Sequence, residues 1–413
     1  MCFPTVNSDD TSAPRVRQGG ELALNGLVPM TLGSWRYYDQ EVSVEDYFLS
    51  HGQEPGVWIG SGTAALALSG AVEEGQLARL FDEGRHPVSG EPLGLAYRHD
   101  SKRTVVTGFA LSFSPPKSVS LVEAFGDRET AASVQAAHDS AVQAALSFLE
   151  DHAAFSRTGR GGVFQVDTEG FVAAAFTHHT SRAGDPQLHT HVLIANKVRC
   201  KDGQWRSLDG REMFAFQKAA GMLYNATLRV ELSVRLGVEW HPVDRNGQAD
   251  IKGVPRALID LFSQRRREVQ RSATQRIAGL EARLGRTLTD DERAEQYQIA
   301  AYGTRPAKTA DDPTALRGRW RMEAELAGWD RGRWLPDTLR RPRISVKQAE
   351  HVIDDPLVAE VVAELAEARS TWSGRKSRRR SPGGFPRAWG PARKPAGNGS
   401  RRPVPRSWRI RTS

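Results

Sequence analysis

The sequence has little cysteine and no long hydrophobic run. Two cysteines in 413 residues are too few for a disulfide framework and fit the reducing cytoplasm. No stretch of eighteen consecutive apolar residues occurs, so the sequence predicts no membrane-spanning helix. The N-terminus does not show the basic and then apolar pattern of a secretory signal. These absences favour a cytoplasmic protein, and the 39% of hydrophobic residues suffice for a sizeable core.

Acidic residues are missing from the C-terminal segment 370–413, which contains thirteen lysines and arginines. Removing these thirteen positive charges from the formal net charge of +8 leaves residues 1–369 at −5. The segment is also rich in proline, glycine and serine, a composition that predicts disorder. It could add sequence-independent affinity for phosphates, or it could be a solvated appendage without a specific role.

Histidine, in contrast, is concentrated: four of the eleven histidines lie within residues 178–191, HHTSRAGDPQLHTH. Side chains two residues apart on a strand share a face, so His189 and His191 are expected to point the same way. His178, on the other side of a short turn, can complete a three-nitrogen site with an open side for substrate. We expect these three to bind a divalent metal (Mg, Mn or Zn), and His179 to pack or hydrogen-bond on the opposite face.

Tyrosine is scarce but clustered. Three of the seven tyrosines, Tyr37, Tyr38 and Tyr47, lie within eleven positions. A tyrosine can attack a phosphate and form a covalent intermediate, but its free pKa near 10 means that it needs help at neutral pH. A metal ion on three neutral imidazoles would help by withdrawing charge from the phosphoryl oxygens. Clustered tyrosines are also common in sheets and cores, so the cluster alone leaves both interpretations open.

Strands and long helices alternate along the chain. β-Branched and aromatic residues predict a strand over 104–114, and helical spacing of apolar residues predicts helices over 129–153 and 213–236. Residues 164–179 suggest a hairpin that turns at Asp167–Gly170. More helices are expected over 255–300 and near 347–369. This alternation predicts an α+β fold, a sheet backed by helices.

Three segments together carry a family resemblance: YYDQEVSVEDYF (37–48), FALSFSPPKSVSL (109–121) and FTHHTSRAGDPQLHTHVLIAN (176–196). They resemble the MobF family of conjugative relaxases, the F- and R388-plasmid type of the HUH endonuclease superfamily. The resemblance covers roughly residues 30–300, and residues 218–240 look like the actinobacterial form. It implies an antiparallel sheet flanked by helices, with a helical C-terminal extension and a disordered basic tail.

The resemblance also implies an activity and its residues. Such an enzyme nicks and rejoins single-stranded DNA at a plasmid origin of transfer through a covalent 5′-phosphotyrosine. Tyr37 matches the nucleophile, and Tyr38 and Tyr47 match tyrosines that some members use in a second strand transfer. Lys117 and Arg182 match basic positions where phosphate contacts are plausible, although surface ion pairs would explain them as well. The implied partners are an origin hairpin and possibly relaxosome or coupling proteins.

The implied domain organisation has four parts. A flexible N-terminal extension spans 1–29, a relaxase domain spans 30–305, a partly helical extension spans 306–369, and the basic tail spans 370–413. Met30 could be the true start, because Tyr37 lies farther from the N-terminus than is usual in the family. The chain contains no Gly-Lys dipeptide, hence no G-x4-G-K-[ST] phosphate loop, so no helicase activity is expected from it.

One position departs from the family pattern. Ala110 stands where related sequences commonly have an aspartate that is thought to orient a ligand histidine or accept the tyrosine proton. This leaves a DNA-binding remnant without activity as an alternative. A rolling-circle replication initiator is another, although its tyrosine generally follows the histidines. A metallohydrolase that uses activated water is a third, and it would form no protein–DNA bond.

Overall fold

Five strands of this chain form one antiparallel sheet in a computed structural model that describes residues 24–36, 55–73, 75–97, 105–181, 183–244, 246–304 and 313–339. The strands of the described residues are β1 (Leu24–Met30), β2 (Val57–Ile59), β3 (Gly108–Phe113), β4 (Phe155–Thr158), β5 (Phe164–Asp167), β6 (Ala173–Thr180), β7 (Pro186–Ala195), β8 (Val198–Arg199) and β9 (Trp205–Arg206). The sheet has the order β1-β3-β7-β6-β2, and β4-β5 and β8-β9 form two small ribbons.

The α-helices numbered below follow β3 in the chain. They are α1 (Lys117–Phe125), α2 (Arg128–Ala153), α3 (Gly210–Leu236), α4 (Arg256–Leu261), α5 (Gln264–Leu284), α6 (Asp290–Gly303), α7 (Pro313–Leu326) and α8 (Arg331–Leu339). Short helical turns span 61–66, 78–82 and 160–162. None of these helices combines the length and the apolar character that a bilayer crossing needs.

Two apolar clusters cover the two faces of the sheet. On the face that we call the helix face, α2 and α3 pack together and against inward-facing residues such as Leu111, Val192 and Ile194. On the opposite face, here the loop face, the segment 61–93 packs against Ala110 and Leu193. Adjacent residues of β3 and β7 therefore bury their side chains in different clusters, as the alternation of a strand requires.

Local signals explain the long helices, which lie close to their predicted bounds. The Asp127 carboxylate accepts a hydrogen bond from the Thr130 amide at 2.8 Å and so caps the N-terminus of α2. Gly237 ends α3 in the left-handed conformation, with φ 68°, which a glycine adopts without steric cost. The predicted strand over 104–114 is present as β3, and Pro115 and Pro116 separate it from α1.

The hairpin expected over 164–179 is wrong. Residues 164–167 form β5, which pairs with β4 before it rather than with β6 after it. Strand β6 pairs instead with β7 and, along its other edge, with β2. The glycine-rich turn at 159–162 brings β4 and β5 together, because consecutive glycines adopt the positive φ angles of a tight turn.

The prediction of a flexible extension over 1–29 is wrong for residues 24–29. They form most of β1, which pairs with β3 and places Val28 opposite Ala110. Leu27 and Met30 are buried, so the strand contributes to the core on both faces of the sheet. A chain that began at Met30 would lack this strand. Residues 1–23, the helix expected near 347–369 and the tail 370–413 lie outside the described residues.

The described residues continue the core past the expected domain boundary at residue 305. Leu316, Trp320 and Ala324 of α7 and Trp334 of α8 belong to the same apolar cluster as α1 and α2. Trp334 packs edge-on against Phe125, with ring centroids 5.8 Å apart. The part of the extension from 313 to 339 is thus packed on the sheet domain rather than separate from it.

Candidate metal centre

The three histidines predicted to bind a metal come together on the loop face of the paired strands β6 and β7. His178 lies directly opposite His189, and His191 lies opposite Phe176 in the same register. The ring centroids are 5.0 Å apart for His178–His189, 5.3 Å for His178–His191 and 5.0 Å for His189–His191. One nitrogen from each ring lies within 4.8 Å of the others. Among the described residues, His178, His189 and His191 form a group that could bind one metal ion.

Two of these rings form a hydrogen bond through Nδ1. His189 Nδ1 lies 3.0 Å from the Gln187 carbonyl oxygen, which can only accept, so Nδ1 carries the proton and Nε2 keeps its lone pair. His191 Nδ1 lies 2.8 Å from the Ser112 hydroxyl. His178 and His191 are buried and His189 is partly exposed, which gives the cluster a side toward solvent. Three neutral imidazoles suit zinc and other transition ions better than magnesium, which prefers oxygen ligands.

His179 faces the other side of β6, as expected from the alternation of the strand. Its Nδ1 lies 3.4 Å from Glu123 Oε1 on α1, and Arg317 Nη2 of α7 approaches the same oxygen at 3.1 Å. Glu123 is buried, and the Arg317 guanidinium provides the positive charge and the hydrogen bond that a buried carboxylate requires. His179 therefore links the sheet to the C-terminal helices and lies apart from the metal cluster.

Another buried histidine, His138, supports β7 from the helix face. His138 Nε2 on α2 lies 2.7 Å from the hydroxyl of Thr190, the residue between His189 and His191. His138 Nδ1 lies 2.8 Å from the Tyr224 hydroxyl on α3. Burial lowers the pKa of His138 to about 3, with a further contribution from neighbouring histidines, so the ring is neutral at pH 7. The His138 ring thus joins both long helices to the strand that carries two of the candidate metal ligands.

The turn between β6 and β7 is supported by Lys117 and Asp185. Lys117 Nζ donates to the Pro186 carbonyl at 2.7 Å, and burial lowers the pKa of Lys117 to about 8 in spite of the attraction of Asp185. Burial likewise raises the pKa of Asp185 to about 6, against the attraction of Lys117 and a hydrogen bond from the Gln264 amide. The contacts in the structure assign Lys117 to the hairpin. Its expected phosphate contact stays a prediction, and Arg182 lies outside the described residues.

The three candidate tyrosines, Tyr37, Tyr38 and Tyr47, lie outside the described residues, but the chain that leads to them is described. Trp35 is buried in the cluster on the loop face, which also contains Phe176, the residue opposite His191. Arg36 forms an ion pair with Asp82 at 3.2 Å, which ties this segment to the turn at 78–82. The chain therefore enters the tyrosine segment from the face of the sheet that carries the three histidines.

Ala110 lies on β3, on the same face as the histidines and two residues from Ser112. It pairs with Leu193 and is 1% exposed within the apolar cluster of the loop face. Ser112, in contrast, pairs with His191 itself. Sequence reasoning missed Ser112 and His138. Ser112 could have been found by aligning β3 with β7 in register, whereas His138 carried no local signal because only the packing of α2 on the sheet brings it to Thr190.

Comparison with protein families gives one match over most of the described chain. The family model described as TrwC relaxase matches residues 33–327. The "Multifunctional conjugation protein TraI" of Escherichia coli is 31% identical over 282 residues, which cover 66% of this chain and 14% of TraI. The chain thus spans 14% of the length of this curated relative.

Solved structures give a likeness of similar extent. The metal-bound structure of the conjugative relaxase TrwC in complex with oriT DNA has a TM-score of 0.58 and 31% sequence identity. TrwC in complex with a 27-mer DNA that comprises the recognition hairpin and the cleavage site has a TM-score of 0.57 and 30% identity. Each comparison covers 74% of this chain and 99% of the other. This chain, with its antiparallel sheet flanked by helices, therefore has the same fold as those proteins.

Proposed function

The chain belongs to the TrwC relaxase family, and we propose that it nicks and rejoins one DNA strand at a plasmid origin of transfer with the help of a divalent metal. The observation that carries this proposal is the convergence of His178, His189 and His191 on one face of β6 and β7. A three-imidazole site with a solvent-facing side can hold an ion and leave room for a phosphate. Related structures in complex with oriT DNA, one of them metal-bound, support the same substrate class.

In the proposed reaction Tyr37 supplies the nucleophile. Its phenol oxygen attacks the scissile phosphorus, the bond from phosphorus to the 3′ oxygen breaks, and the phenol proton ends on the released 3′-hydroxyl. The 5′ phosphate stays bound to Tyr37 as a phosphodiester. Attack by a 3′-hydroxyl reverses the step, so the ends can be rejoined without ATP. Tyr38 and Tyr47 are proposed for a second strand transfer.

The residues around the site have separate tasks in this proposal. The ion, when bound by the three imidazoles, withdraws negative charge from the phosphoryl oxygens. Burial of Trp35 in the loop-face cluster supports the approach of Tyr37 from the side of the histidines. Arg182 is proposed to contact a DNA phosphate. The same is proposed for Lys117, which is partly exposed beside the turn.

The proposed partner is single-stranded DNA beside an origin hairpin, together with proteins of the relaxosome. Bases of a single strand are held by stacking and by contacts to their edges, whereas phosphate contacts position the strand. Of the possible ions, the donor set favours a transition ion over magnesium. The proposed location is the cytoplasm, where plasmid DNA is present.

A covalent adduct tests this function. The full chain is incubated with a panel of labelled origin oligonucleotides, each with its hairpin, in the presence of Mn²⁺ or Zn²⁺, and is analysed by denaturing gel electrophoresis. We expect a band of protein bound to the 5′ end of the cleaved strand, and we expect Tyr37→Phe and added EDTA each to remove it. Peptide mapping of the adduct identifies the nucleophile.

The outcomes of this experiment separate the alternatives. Retention of the adduct in Tyr37→Phe would move the nucleophile to Tyr38 or Tyr47. Cleavage without any adduct would replace the proposal by a metallohydrolase. Hairpin binding with neither cleavage nor adduct would leave a DNA-binding relaxase without activity. Ala110 has a buried methyl group where an aspartate is usual in the family. This favours the inactive DNA-binding relaxase over a metallohydrolase as the second candidate function.

A further inference from the structure

A histidine that binds a metal through one ring nitrogen can form a hydrogen bond through the other. The partner in that hydrogen bond decides which nitrogen faces the ion. A neutral imidazole has one N–H, and a hydrogen bond from that N–H fixes both the tautomer and the orientation of the ring. His189 obtains this bond within its own strand, from the Gln187 carbonyl at 3.0 Å. The Nδ1 atom of His191 lies 2.8 Å from Ser112 Oγ on the neighbouring strand.

Pairing of β3 with β7 accounts for this contact. Ser112 and His191 are direct partners in the antiparallel register, and side chains of direct partners lie on the same face about 4.5–5.5 Å apart at Cβ. Ala110 is one step farther along β3 on that face and is paired with Leu193. Ser112 is therefore directly opposite His191, and its hydroxyl reaches the imidazole ring. Residue 110 lies two positions farther along the strand, opposite Leu193.

We propose that Ser112 is the positioning residue of the metal site, which holds His191 with Nε2 toward the ion by accepting a hydrogen bond from Nδ1–H. This inference rests on the proposed metal site. It gives the chain a neutral partner for His191 although Ala110 supplies no carboxylate. Because a hydroxyl transfers less negative charge to the imidazole than a carboxylate, the ion keeps more of its positive charge for the phosphate.

Binding of Zn²⁺ alone to the full-length protein tests the inference by calorimetry. Removal of an outer-shell partner typically weakens metal affinity 10- to 100-fold, and we expect a loss of about this size in Ser112→Ala. Ser112→Thr keeps the hydroxyl on a β-branched side chain that suits a strand, so its affinity should stay within about threefold of the unmodified protein. Ser156→Ala is the matched control, because it removes a buried hydroxyl that bonds to the Ser207 carbonyl instead.

Proton–nitrogen NMR of ¹⁵N-histidine-labelled, Zn²⁺-loaded protein gives a second readout. The Nδ1–H signal of His191 should be protected from exchange in the unmodified protein and in Ser112→Thr. In Ser112→Ala it should broaden or exchange rapidly. A role of Ser112 in folding alone would lower the melting temperature without this change in the His191 signal.

Two results would overturn the inference: Zn²⁺ affinity in Ser112→Ala within twofold of the unmodified protein, or failure of Ser112→Thr to restore the affinity lost in Ser112→Ala. His189→Ala distinguishes these failures from failure of the site itself. Unchanged Zn²⁺ binding in His189→Ala would contradict the proposed metal site. A strong loss in His189→Ala together with normal binding in Ser112→Ala would refute only the role of Ser112.

Discussion

Lys117 and Asp185 carry opposite charges beside the turn that joins β6 to β7. Burial opposes both charges: it lowers the pKa of Lys117 to about 8 and raises that of Asp185 to about 6. Each charge attracts the other but does not compensate fully for the loss of hydration. The turn next to the candidate metal site therefore lies beside two groups, one on α1 and one in the turn itself, whose ionisation reduces stability.

Replacement of Asp185 by asparagine should change how stability depends on pH. Because the pKa of Asp185 is raised in the folded state, that state binds the proton more tightly than the unfolded chain does. The carboxylate therefore lowers stability progressively as the pH rises from about 4 to 6. The free energy of unfolding of Asp185→Asn, relative to the unmodified protein, should increase by about 2 kcal/mol from pH 4 to pH 7 in urea titrations.

Asp202→Asn is the control for that experiment. Hydrogen bonds from Arg206 lower the pKa of this exposed aspartate to about 2, so its ionised form is the favoured one in the folded state. Its replacement should give a small change of the opposite sign, over a lower pH range. Parallel stability curves for Asp185→Asn and the unmodified protein across pH 4–7 would contradict the prediction.

Among single residues, the sequence predicted that three histidines would come together, because their positions depend on local spacing. His189 and His191 share a face because they are two residues apart, and His178 is brought opposite His189 by a short turn. Ser112 and His138 could not be predicted in the same way. Their contacts depend on the register of β3 against β7 and on the packing of α2, which join residues 79 and 52 positions apart in the chain.

Among the elements, β1 gives the clearest departure from expectation. A polar, turn-rich stretch with little periodicity precedes it, and an edge strand of seven residues leaves a weak pattern because it buries few side chains. The wrong prediction of the partner of β5 has a related cause. Alternation identifies a strand but does not select its partner, and five residues separate β5 from β4 on one side and from β6 on the other.

Two truncated chains test the contribution of β1. A chain that starts at Leu24 retains the strand, whereas one that starts at Met30 loses the pairing with β3 and the buried side chain of Leu27. We expect the second chain to melt at a temperature several degrees lower, because loss of a buried leucine alone typically costs about 2–5 kcal/mol. Equal melting temperatures in calorimetry would show that β1 adds nothing to the folded sheet.

Across the whole domain, the C-terminal helices contact the turn between the two histidine strands. Trp320 Nε1 of α7 donates to the Gly184 carbonyl at 2.7 Å, and Arg319 Nη2 approaches the same oxygen at 3.0 Å. The amide of Gln264, at the start of α5, donates to the Asp185 carboxylate at 2.8 Å. These C-terminal helices thus hold the turn next to the candidate metal site, a long-range contact that local sequence patterns do not indicate.

Trp320→Phe tests this coupling. The change keeps an aromatic ring in the core but removes the hydrogen bond to Gly184, which is worth about 1 kcal/mol. We expect amide exchange of Ser181 and Gly184, both hydrogen-bonded within the turn, to accelerate about fivefold in NMR or mass-spectrometric measurements. Trp334→Phe is the control, since it alters a buried tryptophan that packs on Phe125 and should leave exchange in the turn unchanged. Equal exchange in all three proteins would contradict the coupling.

Strand β7 uses its even and odd positions for different purposes. His189 and His191 point to the candidate metal site, while Leu188, Thr190 and Val192 point to the helices. Insertion or deletion of a single residue within β7, between the turn and His189, would exchange the two sets and bury two imidazoles among apolar side chains. A change of two residues would keep the faces but move His189 away from His178. The metal site therefore tolerates substitution around it more readily than any change in the length of this strand, and natural length variation in the hairpin should be confined to the turn.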